Sequence, residues 1–147
     1  MNLGYSGMVL AVCVSAMGSA IGIGLAAVSA VGAWKKCYGN GKPAPFMLVA
    51  FTGAPLTQTI YGFLLMNFIS SRIATADGLA CLFIGAFGGL AIGLSALFQG
   101  KCAAAACDSL GETGKGTSNY LIVIGIIETV ALFTLVFGLL LLGQIAA

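Results

Sequence analysis

Long apolar runs, separated by short polar stretches, dominate the pattern of residues along the chain. Four runs can be delimited, at about 3–33, 44–71, 78–107 and 118–146. Each is longer than the roughly 18–20 residues with which an α-helix crosses the hydrocarbon core of a bilayer. Almost nothing remains for a domain outside the membrane. The pattern therefore predicts one small all-α membrane protein with four transmembrane helices.

The composition excludes a soluble domain. Of the 147 residues, 60% are hydrophobic and only 7% are charged, and the mean hydropathy is +1.10. Soluble domains carry about 25% charged residues. The chain also has no histidine, no nucleotide-binding motif and no nucleophile paired with a base. We therefore expect no enzyme active site within this chain alone.

Small and bulky side chains alternate from one run to the next. Runs one and three are rich in Gly, Ala and Ser, whereas runs two and four carry most of the Phe and Leu. Membrane helices associate where small residues let their backbones approach closely. Runs one and three should therefore pack most tightly, with runs two and four nearer to lipid. The small residues expected at the packing contacts of a ring are Gly18, Gly22, Gly24, Ala26, Gly89 and Gly93.

The same alternation predicts an internal duplication of a helical hairpin. The two hairpins would cover residues 1–73 and 74–147 within a single membrane domain. When the halves are superimposed, Gln58 of the second run lies beside Glu128 of the fourth run. One half thus carries an amide where the other carries a carboxylate.

Basic residues are distributed unevenly among the loops. Three lie between the first two runs, two lie at or near the third loop and one lies at the second loop. In chain order they are Lys35, Lys36, Lys42, Arg72, Lys101 and Lys115. Loops rich in Lys and Arg tend to stay on the cytoplasmic side. The distribution predicts a multi-pass protein of the cell membrane, with loops 34–43 and 108–117 in the cytoplasm and both termini outside.

One acidic residue, Glu128, lies inside an apolar run, about ten residues from the polar flank on either side. This position is near the bilayer midplane, where an acidic side chain costs about 2.5–3.5 kcal/mol or more. No Lys or Arg lies at a matching depth in any run. Because ionisable residues inside membranes usually mark ion pathways, Glu128 is predicted to carry an ion. The alternative is a neutral glutamic acid that only bonds neighbouring helices.

Polar residues of two other runs offer partners for this carboxylate. Thr57 and Gln58 are adjacent in the second run, and Tyr61 follows one helical turn later on the same face. Gln99 lies in the third run. Hydroxyl, amide and carboxylate oxygens form a shell of net charge −1 that suits a hard monovalent cation. The set predicts Na⁺ rather than H⁺, because a proton needs only a carboxylate in an apolar pocket.

Pro55 lies just before this polar group. A proline inside a helix has no amide to bond the carbonyl four residues earlier, which here belongs to Phe51. Freed carbonyls in membranes are tolerated where they face protein or an ion. Pro55 therefore indicates either a simple kink or a backbone oxygen that is available to the cation.

Four stretches together, GSAIGIG, APLTQTIYGF, QGKCAAA and IET, resemble the K or c proteolipid of V/A-type (vacuolar-type) rotary ATPases. The resemblance covers essentially the whole chain. It implies a ring of identical four-helix subunits in lipid, with the small-residue helices on the inside. It also implies that the cytoplasmic loops bind a central-stalk subunit, and that an outer-helix carboxylate exchanges ions with a membrane subunit of the stator, known as a or I.

The resemblance further implies the residues of a Na⁺ site. They are the side chains of Thr57, Gln58, Gln99 and Glu128 and the backbone carbonyl of Ala54. It assigns to Tyr61 the hydrogen bond that locks the carboxylate. The implied carbonyl is thus Ala54 rather than Phe51. Ala54 and Leu56 depart from the Leu and Gly expected beside the proline, which matters little for a backbone ligand.

Two other classes of membrane protein remain open. A standalone transporter built from a duplicated hairpin would use Glu128 as a proton-coupled site, and it would be a monomer or a dimer. A scaffold would use Glu128 only to bond neighbouring helices. If the chain is a rotor subunit, H⁺ remains the alternative coupling ion. We expect no organic cofactor and no nucleic-acid partner.

Overall fold

The computed structural model describes residues 3–145, which fold into five α-helices and one short 3₁₀ turn. The turn, at Ala54–Leu56, joins the second helix to the third. The helices are α1 (Gly4–Gly39), α2 (Leu48–Gly53), α3 (Thr57–Arg72), α4 (Gly78–Thr113) and α5 (Thr117–Ile145).

Four helical spans in this part of the chain are long and apolar enough to cross a membrane. They are Gly4–Gly39, Leu48–Arg72, Gly78–Thr113 and Thr117–Ile145, of 36, 25, 36 and 29 residues. The second span consists of α2, the 3₁₀ turn and α3. The prediction of an all-α protein with four transmembrane helices is thus confirmed.

The first and third spans extend beyond their apolar runs. Residues 34–39 and 108–113 were predicted as parts of loops 34–43 and 108–117, and they are helical. At about 54 Å each, α1 and α4 exceed the roughly 30 Å hydrocarbon thickness. Contacts between the two helices continue along the extension, where the Cys37 thiol donates to the Gly111 carbonyl at 3.3 Å. Hydropathy therefore marks where the apolar runs end, not where these helices end.

Glycines bring the backbones of α1 and α4 into direct contact. A Cβ added to Gly18 would overlap the backbone of Gly93. A Cβ on Gly89 would lie 2.6 Å from the Leu10 carbonyl oxygen, and one on Gly93 would lie 2.6 Å from that of Val14. The two small-residue helices are therefore the most closely packed pair, as the sequence predicts.

Two more of the predicted packing residues lie at the same contact, and one does not. A Cβ on Gly22 would overlap the Ala96 carbonyl, and Ala26 is fully buried. Gly24 has nothing within 4 Å of its added Cβ. A role between neighbouring subunits of a ring stays a prediction for Gly24 and for the other five residues.

The ends of α1 and α4 lie side by side at one end of the molecule, together with the first and third loops that follow them. There, Lys36 pairs with Asp108 at 2.9 Å, and the Trp34 indole donates to the Pro45 carbonyl at 2.9 Å. At the other end, Gly7 lies against the backbone of Cys81 near the start of α4. The beginning of α1 and the second loop therefore share that opposite end.

Two apolar clusters fill the interior, one toward each end. The cluster nearer the first and third loops includes Ala26, Phe51, Ala103 and Ile124. The other cluster includes Ala11, Leu65, Ile92 and Ala131. On every one of the four spans, a gap of at least six residues separates the two clusters. The buried polar residues described next lie in that gap.

Candidate functional site

The carboxylate of Glu128 is held from two sides. Glu128 is half-buried on α5. The Tyr61 hydroxyl of α3 donates to its Oε1 at 2.8 Å, and Nε2 of Gln99 on α4 lies 3.4 Å from its Oε2. Within residues 3–145, no basic side chain pairs with this carboxylate. The negative charge is therefore met by hydrogen-bond donors rather than by a fixed cation.

Two fully buried amides extend the site inward from the carboxylate. Gln58 and Gln99 are each 0% exposed, and Gln58 Nε2 donates to Gln99 Oε1 at 2.7 Å. The Thr57 hydroxyl donates a hydrogen bond to Gln58 Oε1 at 3.1 Å. A continuous hydrogen-bonded chain thus runs from Thr57 through both amides to Glu128.

The 3₁₀ turn around Pro55 positions one further oxygen. The Thr57 hydroxyl lies 3.0 Å from the Ala54 carbonyl oxygen, which also accepts the Thr57 amide. Pro55 is buried against α1, where an added Cβ on Gly22 would approach its Cβ to 3.1 Å. The carbonyl bonded to the threonine of the site is therefore that of Ala54. The Phe51 carbonyl was the other candidate from the sequence. Phe51 packs its ring in the neighbouring apolar cluster.

Hydrogen bonds that we did not anticipate from the sequence fix the backbone on both sides of the carboxylate. The Ser95 hydroxyl donates to the Ile127 carbonyl at 2.8 Å, and Gln99 Nε2 donates to the Ile124 carbonyl at 3.1 Å. Ser95 and Gln99 are four residues apart and share one face of α4. The four-residue spacing from Gln99 was the one feature of the sequence that could have indicated that Ser95 belongs to the site. These bonds hold α5 against α4 and thereby set the position of Glu128.

The structure brings together all six residues predicted for the site. They are Ala54, Thr57, Gln58, Tyr61, Gln99 and Glu128, drawn from three helices and the 3₁₀ turn. The group offers hydroxyl, amide, carbonyl and carboxylate oxygens and no sulfur or imidazole. Such a set of hard oxygen donors suits a hard cation such as Na⁺. A monovalent cation would neutralise its single negative charge.

The class of protein follows from these observations: a four-span helical membrane protein with one carboxylate embedded among buried amides and hydroxyls. Comparison with known proteins agrees. The family model for the C subunit of ATP synthase matches residues 76–141. The chain is also 33% identical, over 141 residues, to the A-type ATP synthase subunit K of Methanocaldococcus jannaschii.

Both matches support the resemblance to the c or K proteolipids of V/A-type rotary ATPases that is seen in the sequence. The alignment with the archaeal protein covers 95% of this chain and 61% of that protein. The chain thus spans about three fifths of the length of that relative.

Proposed function

We propose that this chain is a rotor-ring subunit of a membrane V/A-type rotary ATPase, and that it translocates Na⁺ by reversible binding at Glu128. The observation that carries the proposal is the buried hydrogen-bonded chain that connects Thr57, Gln58 and Gln99 to the carboxylate. A proton would need the carboxylate alone. Amide side chains with 0% exposure are unusual inside an apolar run, and a cation site would use their oxygens as ligands.

Binding and release follow from the charge of the site. In the loaded state, the oxygens of Thr57, Gln58, Gln99 and Ala54 surround the cation and Glu128 neutralises it. The neutral site then faces lipid at low cost. After the ion leaves, the carboxylate is charged, and a charge near the bilayer centre is unfavourable. Release therefore requires a polar environment, which the membrane subunit of the stator supplies.

The number of carboxylates per helix sets how many ions are transported for each ATP. Moving one elementary charge across the membrane is worth about 2.3 kcal/mol per 100 mV, so several ions must cross for each ATP hydrolysed or made. Gln58 stands where a duplicated hairpin would repeat Glu128, which leaves one carboxylate per four spans. Fewer ions per turn favour transport against a steep gradient.

The partners follow from the two exposed regions of the subunit. Large apolar side chains cover the sides of the helices, including Val28, Phe87 and Phe137, and we assign these sides to identical subunits of the ring and to lipid. The end that carries Lys36 and Asp108 would lie in the cytoplasm and bind the central-stalk subunit.

The test is ATP-driven ²²Na⁺ uptake into vesicles that contain the complete ATPase complex. Glu128→Gln should abolish uptake, whereas Asp77→Asn should leave it near the wild-type rate. Asp77 is an exposed carboxylate at the opposite end of the subunit that caps α4, and asparagine can cap a helix equally well. Uptake that survives Glu128→Gln would contradict the proposal. Wild-type pumping that does not depend on Na⁺ across a wide pH range would instead assign H⁺ as the coupling ion.

A single additional observation separates the rotor subunit from a standalone transporter. In mild detergent, the ring predicts one large stable oligomer. A monomer or a dimer under the same conditions would favour the transporter.

A further inference from the structure

A serine of α1 has a buried hydroxyl without a partner. Ser19 is 2% exposed, and among residues 3–145 its Oγ makes no hydrogen bond. Other serines of the same helix are satisfied: Ser15 donates to the Ala11 carbonyl at 2.7 Å, and Ser29 donates to the Ala104 carbonyl at 2.6 Å. Buried polar groups are nearly always hydrogen-bonded. The isolated hydroxyl of Ser19 therefore needs an explanation.

The packing of α1 on the second span places Ser19 opposite Gln58. A Cβ on Gly62 would lie 2.5 Å from the Ser15 Cβ, and a Cβ on Gly22 would lie 3.1 Å from the Pro55 Cβ. The two spans run antiparallel. Moving four residues forward from Ser15 to Ser19 therefore corresponds to moving four residues back from Gly62, which arrives at Gln58.

Ser19 also lies at the depth of the site along its own helix. The two apolar clusters meet α1 at Ala11 and Ala26, and Ser19 lies between them. Gln58 lies in the corresponding gap of the second span, between Phe51 and Leu65. Ser19, on α1, thus lies at the depth of the Gln58–Gln99 pair, which connects to Glu128 on α5.

The hydrogen bond between the Gln58 and Gln99 amides indicates what the Ser19 hydroxyl could bind. Gln58 Nε2 donates to Gln99 Oε1 at 2.7 Å, so the Gln99 oxygen is engaged by an N–H rather than directed to a cation. When the Gln99 oxygen turns to a bound Na⁺, the Gln58 N–H loses its acceptor inside the protein. An unsatisfied buried donor is unfavourable. The Ser19 oxygen is a free acceptor at that position.

We propose that Ser19 is a positioning residue of the cation site. Its hydroxyl accepts the Gln58 Nε2 hydrogen, directly or through one bound water, when the Gln99 oxygen turns to the cation. Ser19 thereby fixes the Gln58 carboxamide with its oxygen toward the ion without touching the ion itself. This inference rests on the Na⁺ site proposed above.

The test compares Ser19→Ala and Ser29→Ala with the wild-type complex in native membranes. The measured quantity is the rate at which a hydrophobic carbodiimide labels Glu128, as a function of NaCl concentration and of pH. Ser29 is a matched control, since it is a bonded serine on the same helix about 15 Å from Ser19. Replacing a serine with alanine removes one oxygen, so both variants should fold and assemble.

Ser19→Ala should raise the NaCl concentration for half-protection about tenfold, which corresponds to about 1.4 kcal/mol. Its pH profile without Na⁺ should match the wild type, because the proton does not need the amides. Ser29→Ala should match the wild type in both measurements. A Ser19→Ala complex with wild-type Na⁺ protection would overturn the inference, since an unused hydroxyl can be removed at no cost to binding.

The outcome separates this inference from the function on which it rests. Wild-type labelling that Na⁺ suppresses, with the same protection in Ser19→Ala, would overturn only the role of Ser19. Wild-type labelling that ignores Na⁺ would overturn the choice of Na⁺, and the inference with it. A map of the Na⁺-loaded ring at high resolution gives a second check. It should show the Gln58 amide nitrogen bonded to Ser19 or to a water on Ser19, and a nitrogen still bonded only to Gln99 would contradict the inference.

Discussion

The hydroxyl of Tyr61 donates a hydrogen bond of 2.8 Å to Oε1 of Glu128. The two residues lie 67 positions apart in the chain, in different hairpins, so this bond ties the second span to the fourth at the depth of the site. Gln99 approaches the other carboxylate oxygen at 3.4 Å. The carboxylate is thus held in one orientation, pointing toward the amides, by donors from two helices.

Removal of the tyrosine hydroxyl should loosen the carboxylate. A hydrogen bond to a charged group contributes about 1.5–3 kcal/mol, so Tyr61→Phe should weaken Na⁺ protection of Glu128 by about tenfold or more. Labelling by carbodiimide in the absence of Na⁺ should become faster, because the side chain turns outward more often. Tyr120→Phe is the matched control, since that phenol bonds Ser109 at 2.5 Å near the third loop. Equal protection in Tyr61→Phe and the wild type would show that the bond does not lock the carboxylate.

Close packing of α1 on α4 should make Gly18 sensitive to a single methyl group. A Cβ on Gly18 would overlap the backbone of Gly93, so Gly18→Ala forces the helices apart at a cost of about 1–3 kcal/mol. The melting temperature of the purified subunit in detergent should fall. Gly32→Ala, on the same helix with nothing within 4 Å, should leave it unchanged or slightly raised, because alanine favours a helix. A fall of equal size in both variants would show that the backbone contact at Gly18 does not explain the effect.

The proposed orientation predicts which loop is accessible from each side of the cell membrane. In a variant without the five native cysteines, Asn40→Cys should react with a membrane-impermeant maleimide only in inverted vesicles. Thr75→Cys, in the loop before α4, should react only in right-side-out vesicles. Both positions are exposed in the subunit, so in vesicles stripped of the stalk subunits failure to react on one side reports location rather than burial. The reverse labelling pattern would show that the distribution of lysines misassigned the two sides.

Much of the fold was predictable because a membrane limits the possible structures. Twenty or more apolar residues in a row permit little except a helix across the bilayer, and small residues such as Gly18 and Gly93 identify the closest pair. The ends of α1 and α4 were not predictable in the same way. Beyond their apolar runs, residues 34–39 and 108–113 remain helical because α1 and α4 continue to pack on each other there. Packing between distant segments leaves no mark on local hydropathy.

The site was predictable to the extent that burying its residues is costly. Glu128, Gln58 and Gln99 stand out because charged and amide side chains inside an apolar run need a reason to be there. Ser95 and Ser19 did not stand out. A serine in a membrane helix commonly bonds its own backbone, so only the three-dimensional arrangement shows that Ser95 bonds α5 and that Ser19 bonds nothing within residues 3–145.

The central claim is that Glu128 is an exchangeable carboxylate that binds Na⁺. The most direct measurement is carbodiimide labelling of Glu128 in native membranes across a range of pH, with NaCl or KCl added at equal ionic strength. The account predicts that Na⁺ suppresses labelling and K⁺ does not, most strongly at high pH, where protons do not compete for the carboxylate. Labelling that follows pH alone would contradict Na⁺ binding and leave a proton-driven rotor, whereas no labelling under any condition would contradict an exchangeable site at Glu128.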